Sequence, residues 1–352
     1  MPQIVNILRT YLPESLQSIL KSLIGHSFLG RWLRSRLLYS ELKCNYLYDA
    51  RRYLNYAILG RYNQAQANLC AEIIMNVHFI EKGLSHPTPR LQFGQQPIKC
   101  IQKYLVEYIS RFGHDMVTAT GLDALTAYCQ FHQQHGVRID ALESSLQKLL
   151  AEQPDNGCQG KAGGSISITR EEIHSSGKMD IEPFLKSRHS IRHFDTRPVE
   201  EDLIRRAVSL AITTPSVCNR QMWKVWVFRD RDRKQAILSL QNGNRGFRKE
   251  IDTVLLVTCD LQSFFSIGER NEAWIDGGMF AMTLLLALHS LGLGACCLNW
   301  SVAKEKDHEF RKLIELPEEE VIIVLIAVGH IPEQLSVACS ARKSLNDVLL
   351  WN

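Results

Sequence analysis

Arg188-His189-Ser190-Ile191-Arg192-His193-Phe194 and, some twenty residues on, Pro215-Ser216-Val217-Cys218-Asn219-Arg220-Gln221-Met222-Trp223 organise the reading of this chain. The first stretch sets two guanidinium groups and a hydroxyl within one turn of each other. That donor set suits a doubly charged phosphate, because a planar guanidinium meets two oxygens at once. The second stretch offers small and amide side chains on a Pro-led turn. An amide carries donors and an acceptor together, so it reads the polar edge of a flat heterocycle or a polyol chain. Both point to a phosphorylated aromatic cofactor.

Around these stretches, after Met179, helices and strands alternate. Residues 181–187 lead into the first stretch, and 199–211 read as a helix with Glu200, Glu201 and Asp202 near its positive end. Residues 224–229, 254–259 and 321–328 are strand candidates. Residues 276–290 form a helix that is apolar nearly all round, which predicts burial in the domain or in a dimer core. Gly292-Leu293-Gly294 ends it and starts an extended segment over 295–298.

R-H-S-I-R-x-F followed by P-S-x-x-N-x-Q-x-W resembles the opening of the nitroreductase family, FMN-dependent oxidoreductases of α+β fold, over residues 179–352. The resemblance implies a mixed sheet flanked by helices, with FMN as cofactor and NAD(P)H as co-substrate. Arg188, His189, Ser190 and Arg192 would then grip the FMN phosphate and ribityl chain, and Pro215, Ser216, Asn219 and Gln221 would lie beside the ring, usually across a homodimer interface. Gly292 to Trp300 is similar to the family's G-L-G segment, which assigns Asn299 and Trp300 a main-chain N–H near the reactive flavin nitrogen. Gly329-His330-Ile331-Pro332 and the late pair Arg342-Lys343 resemble the family's ending, where basic residues return to the phosphate. Asn244 stands where another amide often serves the flavin edge. Met222 departs from the usual proline, a change expected to loosen the loop or open the pocket over the ring and so to alter the contacts of Gln221.

The chain of 352 residues is long enough for one large domain or two ordinary ones. Its hydrophobic share of 45% and charged share of 22% are ordinary for a globular protein, and a net charge of +4 does not argue for nucleic acid. Ten cysteines are scattered without a C-x-x-C pair, so neither a disulfide framework nor a zinc site is expected and a reduced cytoplasmic protein is. The longest apolar run, 279–288, is about half a bilayer span, and no transmembrane helix is expected. The N-terminus reads as lacking a signal peptide, since Asn6, Arg9, Thr10 and Pro13 interrupt its apolar stretch.

The first half reads as helical. Residues 13–60 carry an apolar stripe and then Arg31, Arg34, Arg36, Lys43, Arg51 and Arg52 interleaved with Trp32, Tyr39 and Tyr46. That is first a solvated helix face; contact with an anionic membrane is the alternative. A second helix, 65–82, ends at Gly83 as its cap and puts His78, Glu81 and Lys82 on one side. Helices follow over 98–111, 122–134 and 139–151, the last opened by Asp140. Gly- and Ser-rich residues 154–178 read as a linker, giving a helical region 1–153 and a nitroreductase-like domain 179–352. This half weakly resembles the extension of nitroreductase-like proteins encoded with polysaccharide biosynthesis genes.

The resulting expectation is a homodimeric FMN oxidoreductase passing hydride from NAD(P)H to a small organic acceptor by ping-pong kinetics. A flavin oxidase using O₂, or a non-catalytic flavin-binding scaffold in a membrane-associated assembly, is the alternative.

Overall fold

A computed structural model describes residues 28–58, 65–85, 89–151, 162–167, 180–335, 337 and 344–351. The chain divides into two compact units, Met1–Asn55 with Val302–Glu309, and Tyr56–Ser301 with Phe310–Asn352. In the first unit, helix α1 (Phe28–Tyr56) covers the described part of the expected basic helix. Within that unit Tyr48 donates to Asp307 at 2.8 Å and Asn45 Oδ1 accepts from the Lys304 N–H at 2.7 Å. Trp32, Tyr39, Leu42 and Tyr46 remain exposed on α1.

The second unit opens with four helices, α2 (Gln66–Leu84), α3 (Gln95–Phe112), α4 (Met116–Gln134) and α5 (Asp140–Ala151). Their apolar faces meet in one cluster that includes Ile73, Ile80, Ile101, Leu105, Leu122, Leu125 and Tyr128, all inaccessible to solvent. Helix α4 starts six residues before the sequence expectation because Asp115 forms a capping box with Thr118, satisfying the free N–H groups of Val117 and Thr118. Gly83 is not a cap. The helix runs on to Leu84, and the Phe93 ring occupies the place a Cβ on Gly83 would need. Six residues of the expected linker, 162–167, are described, and two of them are tied to these helices. Ala162 N–H donates to Asp123 at 2.6 Å and Gly164 N–H to Glu81 at 3.2 Å.

Helices α6 (Ile181–Ser187) and α7 (Glu201–Ala211) precede β1 (Trp223–Phe228). Then come α8 (Arg231–Leu240), β2 (Thr253–Asp260), α9 (Glu272–Ser290), β3 (Leu293–Asn299), α10 (Lys304–Ile314) and β4 (Glu320–His330). The strands lie in the order β1-β2-β4-β3, every neighbouring pair antiparallel. The α+β class is as expected, but the sheet is antiparallel rather than mixed, and only an isolated parallel bridge from Ser190 to Ala295 touches the outer side of β3. β2 is buried at every position, and β4 is nearly so.

Helix α9 lies on this sheet. It is long and apolar enough to cross a membrane by length and composition, yet half of its most apolar window is buried within the fold. Asp276, Gly277, Phe280, Leu284 and Leu288 face inward, while Trp274, Ile275, Met279 and Met282 face outward. Gly277 lets the helix settle: a Cβ there would stand 2.7 Å from Ile323 Cγ1 and 2.9 Å from Cys259 Sγ. A Gly277→Ala variant should therefore lose about 1–3 kcal/mol of stability by overpacking, read as a lower midpoint in urea denaturation. An unchanged midpoint would mean that the helix rides further from the sheet.

Candidate functional site

The phosphate-type stretch does not make a turn. It runs extended along β3, with Ile191 N–H donating to Ala295 O at 3.0 Å. Residues two apart then share a side of the chain, which groups positions 188, 190 and 192 as a turn was expected to do. Gly294 allows the close approach, since a Cβ would meet Ile191 at 3.0 Å. Arg188 is half-buried and has no hydrogen bond or ion pair among the described residues; Arg192 is exposed and only grazes Ser190 O at 3.5 Å. Both lie close enough to β3 to act on its thiols. Burial pushes Cys296 up, and Arg192 and Arg188 pull it part of the way back.

Beside Arg188 and His189 a cavity of about 30 Å³, one water in size, is lined by Ser187, Leu285 and His289. His289 Nε2 lies 2.8 Å from Ser187 Oγ, and burial, with Arg188 and His189 nearby, holds the imidazole below its ordinary pKa. His189 itself is exposed.

The second stretch is a tight loop around a short 3-10 turn, Val217–Asn219. Cys218, Asn219 and Gln221 all have left-handed backbones, with φ of 49°, 54° and 50°. Non-glycine residues in that region are strained and persist only where the surroundings over-determine them. Here they do. Asp276 accepts the Val217 N–H at 2.9 Å, Ser216 Oγ accepts the Gln221 N–H at 3.0 Å, and the buried Arg220 donates to Val217 O at 3.1 Å. Burial raises the Asp276 carboxyl above its usual value, opposed by the Val217 N–H and Arg220. Pro215, Asn219 and Gln221 stay exposed. Met222 does not loosen the loop: it is 3% exposed, and its carbonyl accepts from Asp260 N–H at 2.9 Å.

Asn299 ends β3 exposed, its carbonyl held by Gln241 Nε2 at 3.1 Å. The half-buried Trp300 ring packs on Phe310 at 4.4 Å between centroids. Asn244, which the resemblance set at the flavin edge, has its side chain engaged within its own turn. It is wholly buried, donates to Leu238 O and Gln241 Oε1, and accepts from Arg248, so its amide is spent on the turn that carries Gln241. Arg342 and Lys343 lie outside the described residues.

The chain thus brings Arg188, Ser190 and Arg192 alongside β3, which ends at Asn299, and holds the Val217–Gln221 loop separately. Helix α9 measures the separation. Ser187 bonds to His289 near one end and Val217 to Asp276 near the other, thirteen residues or about 20 Å apart along the axis. Three polar residues that hold the loop, Arg220, Asp276 and Glu269, were not picked out from sequence. Asp276 had a signal, as a lone acid on the inner face of an apolar helix; Arg220 had none beyond its place in the second stretch.

A family model described as the nitroreductase family matches residues 185–330. A protein of Methanothermobacter thermautotrophicus named as an NADH dehydrogenase/NAD(P)H nitroreductase is 28% identical over 162 residues, 45% of this chain and 82% of that protein. An NADH dehydrogenase of Thermus thermophilus is 26% identical over 204 residues, 49% of this chain and 96% of that protein. Among solved structures, an FMN-dependent nitroreductase of Clostridium difficile aligns with a TM-score of 0.41 at 22% identity, over 48% of this chain and 98% of that one. Arg188–Phe194 and Pro215–Trp223 both fall inside the matched span, so residues 185–330 are similar to the nitroreductase family, the FMN-dependent NAD(P)H oxidoreductases.

Proposed function

We propose that this chain binds FMN and passes hydride from NADH or NADPH to a small organic acceptor such as a nitroaromatic, quinone or enone. The observation that carries the reading is the placement of Arg188, Ser190 and Arg192 on the open side of β3, with both guanidinium groups uncommitted to any carboxylate among the described residues. That donor set fits a phosphate. The flavin supplies reversible two-electron chemistry when bound. The chain's part is to anchor and orient: the β3 arginines hold the phosphate, and the amides of Asn219 and Gln221 with the main chain at Asn299 and Trp300 face the ring. Donors fixed in advance stabilise negative charge wherever it gathers, without reorganising.

The distance along α9 supports a homodimer in which one subunit grips the phosphate and its partner offers the ring loop. The outward apolar face of Trp274, Ile275, Met279 and Met282 supports it too, because contiguous exposed apolar surface of this kind marks association sites.

The test is spectroscopic and then kinetic. Purified protein should absorb near ~450 nm, as flavin does and no side chain can. Addition of NADH or NADPH without oxygen should bleach that band, and acceptor should restore it. Protein that takes up no FMN on titration would sink the proposal; yellow protein that never consumes either nicotinamide would instead favour the oxidase.

A further inference from the structure

The 3-10 turn Leu261–Ser263 follows β2, and three consecutive carbonyls on and after it are each taken by a different part of the chain. Gln262 O accepts from Asn68 Nδ2 at 2.7 Å, Ser263 O from Arg220 Nη1, and Phe264 O from the Ile58 N–H at 2.8 Å. The same Arg220 guanidinium holds Val217 O and pairs with Glu269 at 2.8 Å. Helix α2 also packs directly on the Val217–Asn219 turn. Asn68 is 3% exposed, and its Oδ1 is buried with no hydrogen-bond partner among the described residues. A buried amide with an orphan end is costly, so the reason for its place lies in what the other end does.

We propose that Asn68 is a positioning residue for the ring loop. Through Asn68 on the Gln262 carbonyl and Arg220 on the Ser263 carbonyl of the same short turn, helix α2 keeps residues 217–221 in the strained conformation that presents Asn219 and Gln221 to the flavin. Helix α2 thereby becomes a wall of the site rather than an appendage. The link to flavin rests on the function proposed above; the link between helix and loop does not.

Hydrogen exchange on the full chain separates the two. In Asn68→Leu the amides of Val217, Asn219 and Gln221 should exchange about tenfold faster than in the parent, while β4 amides stay unchanged. Asn76→Leu is the comparison: Asn76 is also buried in α2 but among the described residues its side chain bonds only within that helix, to Glu72 O at 2.8 Å, and its loss should leave the loop amides alone. FMN should bind Asn68→Leu about tenfold more weakly. Asn68→Ser is run in parallel, so a failure of the leucine variant to fold does not remove the comparison. The proposal is overturned if loop exchange is unmoved in the Asn68 variants, or if Asn76→Leu moves it equally. A parent protein that takes no FMN, yet whose loop responds to Asn68, would end the cofactor reading and keep the positioning role.

Discussion

An Arg188→Ala/Arg192→Ala double variant is expected to purify colourless, at normal yield and with an unaltered melting temperature. Neither guanidinium serves the fold through a strong polar contact among the described residues, and what holds the stretch is the Ile191 N–H on Ala295 O together with the buried Ile191 and Phe194. Removing the guanidinium groups therefore costs binding rather than folding. Each charge-assisted hydrogen bond is worth about 1.5–3 kcal/mol, so losing one from each arginine weakens FMN by roughly two to four orders of magnitude. Titration of apo protein with FMN, followed by flavin fluorescence, measures it. A double variant that binds as tightly as the parent would move the phosphate elsewhere.

Replacing Arg220 with leucine should do the opposite, damaging fold and loop together. Its side chain is wholly buried, donates to Val217 O and Ser263 O, pairs with Glu269, and lies against the rings of Phe264 and Phe265. Leucine keeps much of the volume but leaves Glu269 and the Ser263 carbonyl without their donor. Breaking one side of a buried pair costs about 3–5 kcal/mol. Acid should reveal the same bond. Burial raises the Glu269 carboxyl, but the Arg220 hydrogen bond, the Phe265 N–H and the Arg220 charge outweigh it, and the group ends below its ordinary value. A folded-state pKa below the unfolded one gives stability that is present above the unfolded value, near 4.5, and is lost as pH falls through the folded one. In the parent, stability should drop across that acid window. Urea denaturation of Arg220→Leu across it should show a flatter acid limb, and an identical pH profile would mean that the pair contributes nothing.

Much of the fold was open to reading because its signals are local. The apolar run of α9, the β-branched runs of β2 and β4, and the apolar spacing of α2 to α5 all recur where sequence placed them. Helices α8 and α10 were not singled out, since Arg231, Asp232, Arg233 and Lys234, or Lys304, Glu305, Lys306 and Asp307, dominate their first turns and hide the helical period. Gly83 misled for a different reason: a glycine near a helix end looks like a cap, and only the Phe93 ring ten residues on explains it. The first site stretch was legible in composition but not in shape, because extended and helical chains both gather alternate or neighbouring donors. At Asn244 the sequence could not decide, because an Asn/Gly turn looks the same whether its amide faces a ligand or its own carbonyls. Asn68 and Arg220 could not be found from sequence, since their meaning comes from a turn nearly two hundred residues from one of them.

β3 borders the sheet, and among the described residues a single bridge at Ala295 covers its outer side. An open strand border is a template on which another copy can add, and like-charged residues are a common guard against it. Arg188 and Arg192 provide that guard, and under the proposed function a phosphate that neutralised them would have to shield the border with its own bulk. Cofactor supply and resistance to aggregation would then be one variable, with newly made protein most exposed to edge-to-edge stacking when it meets excess small anions before it meets flavin.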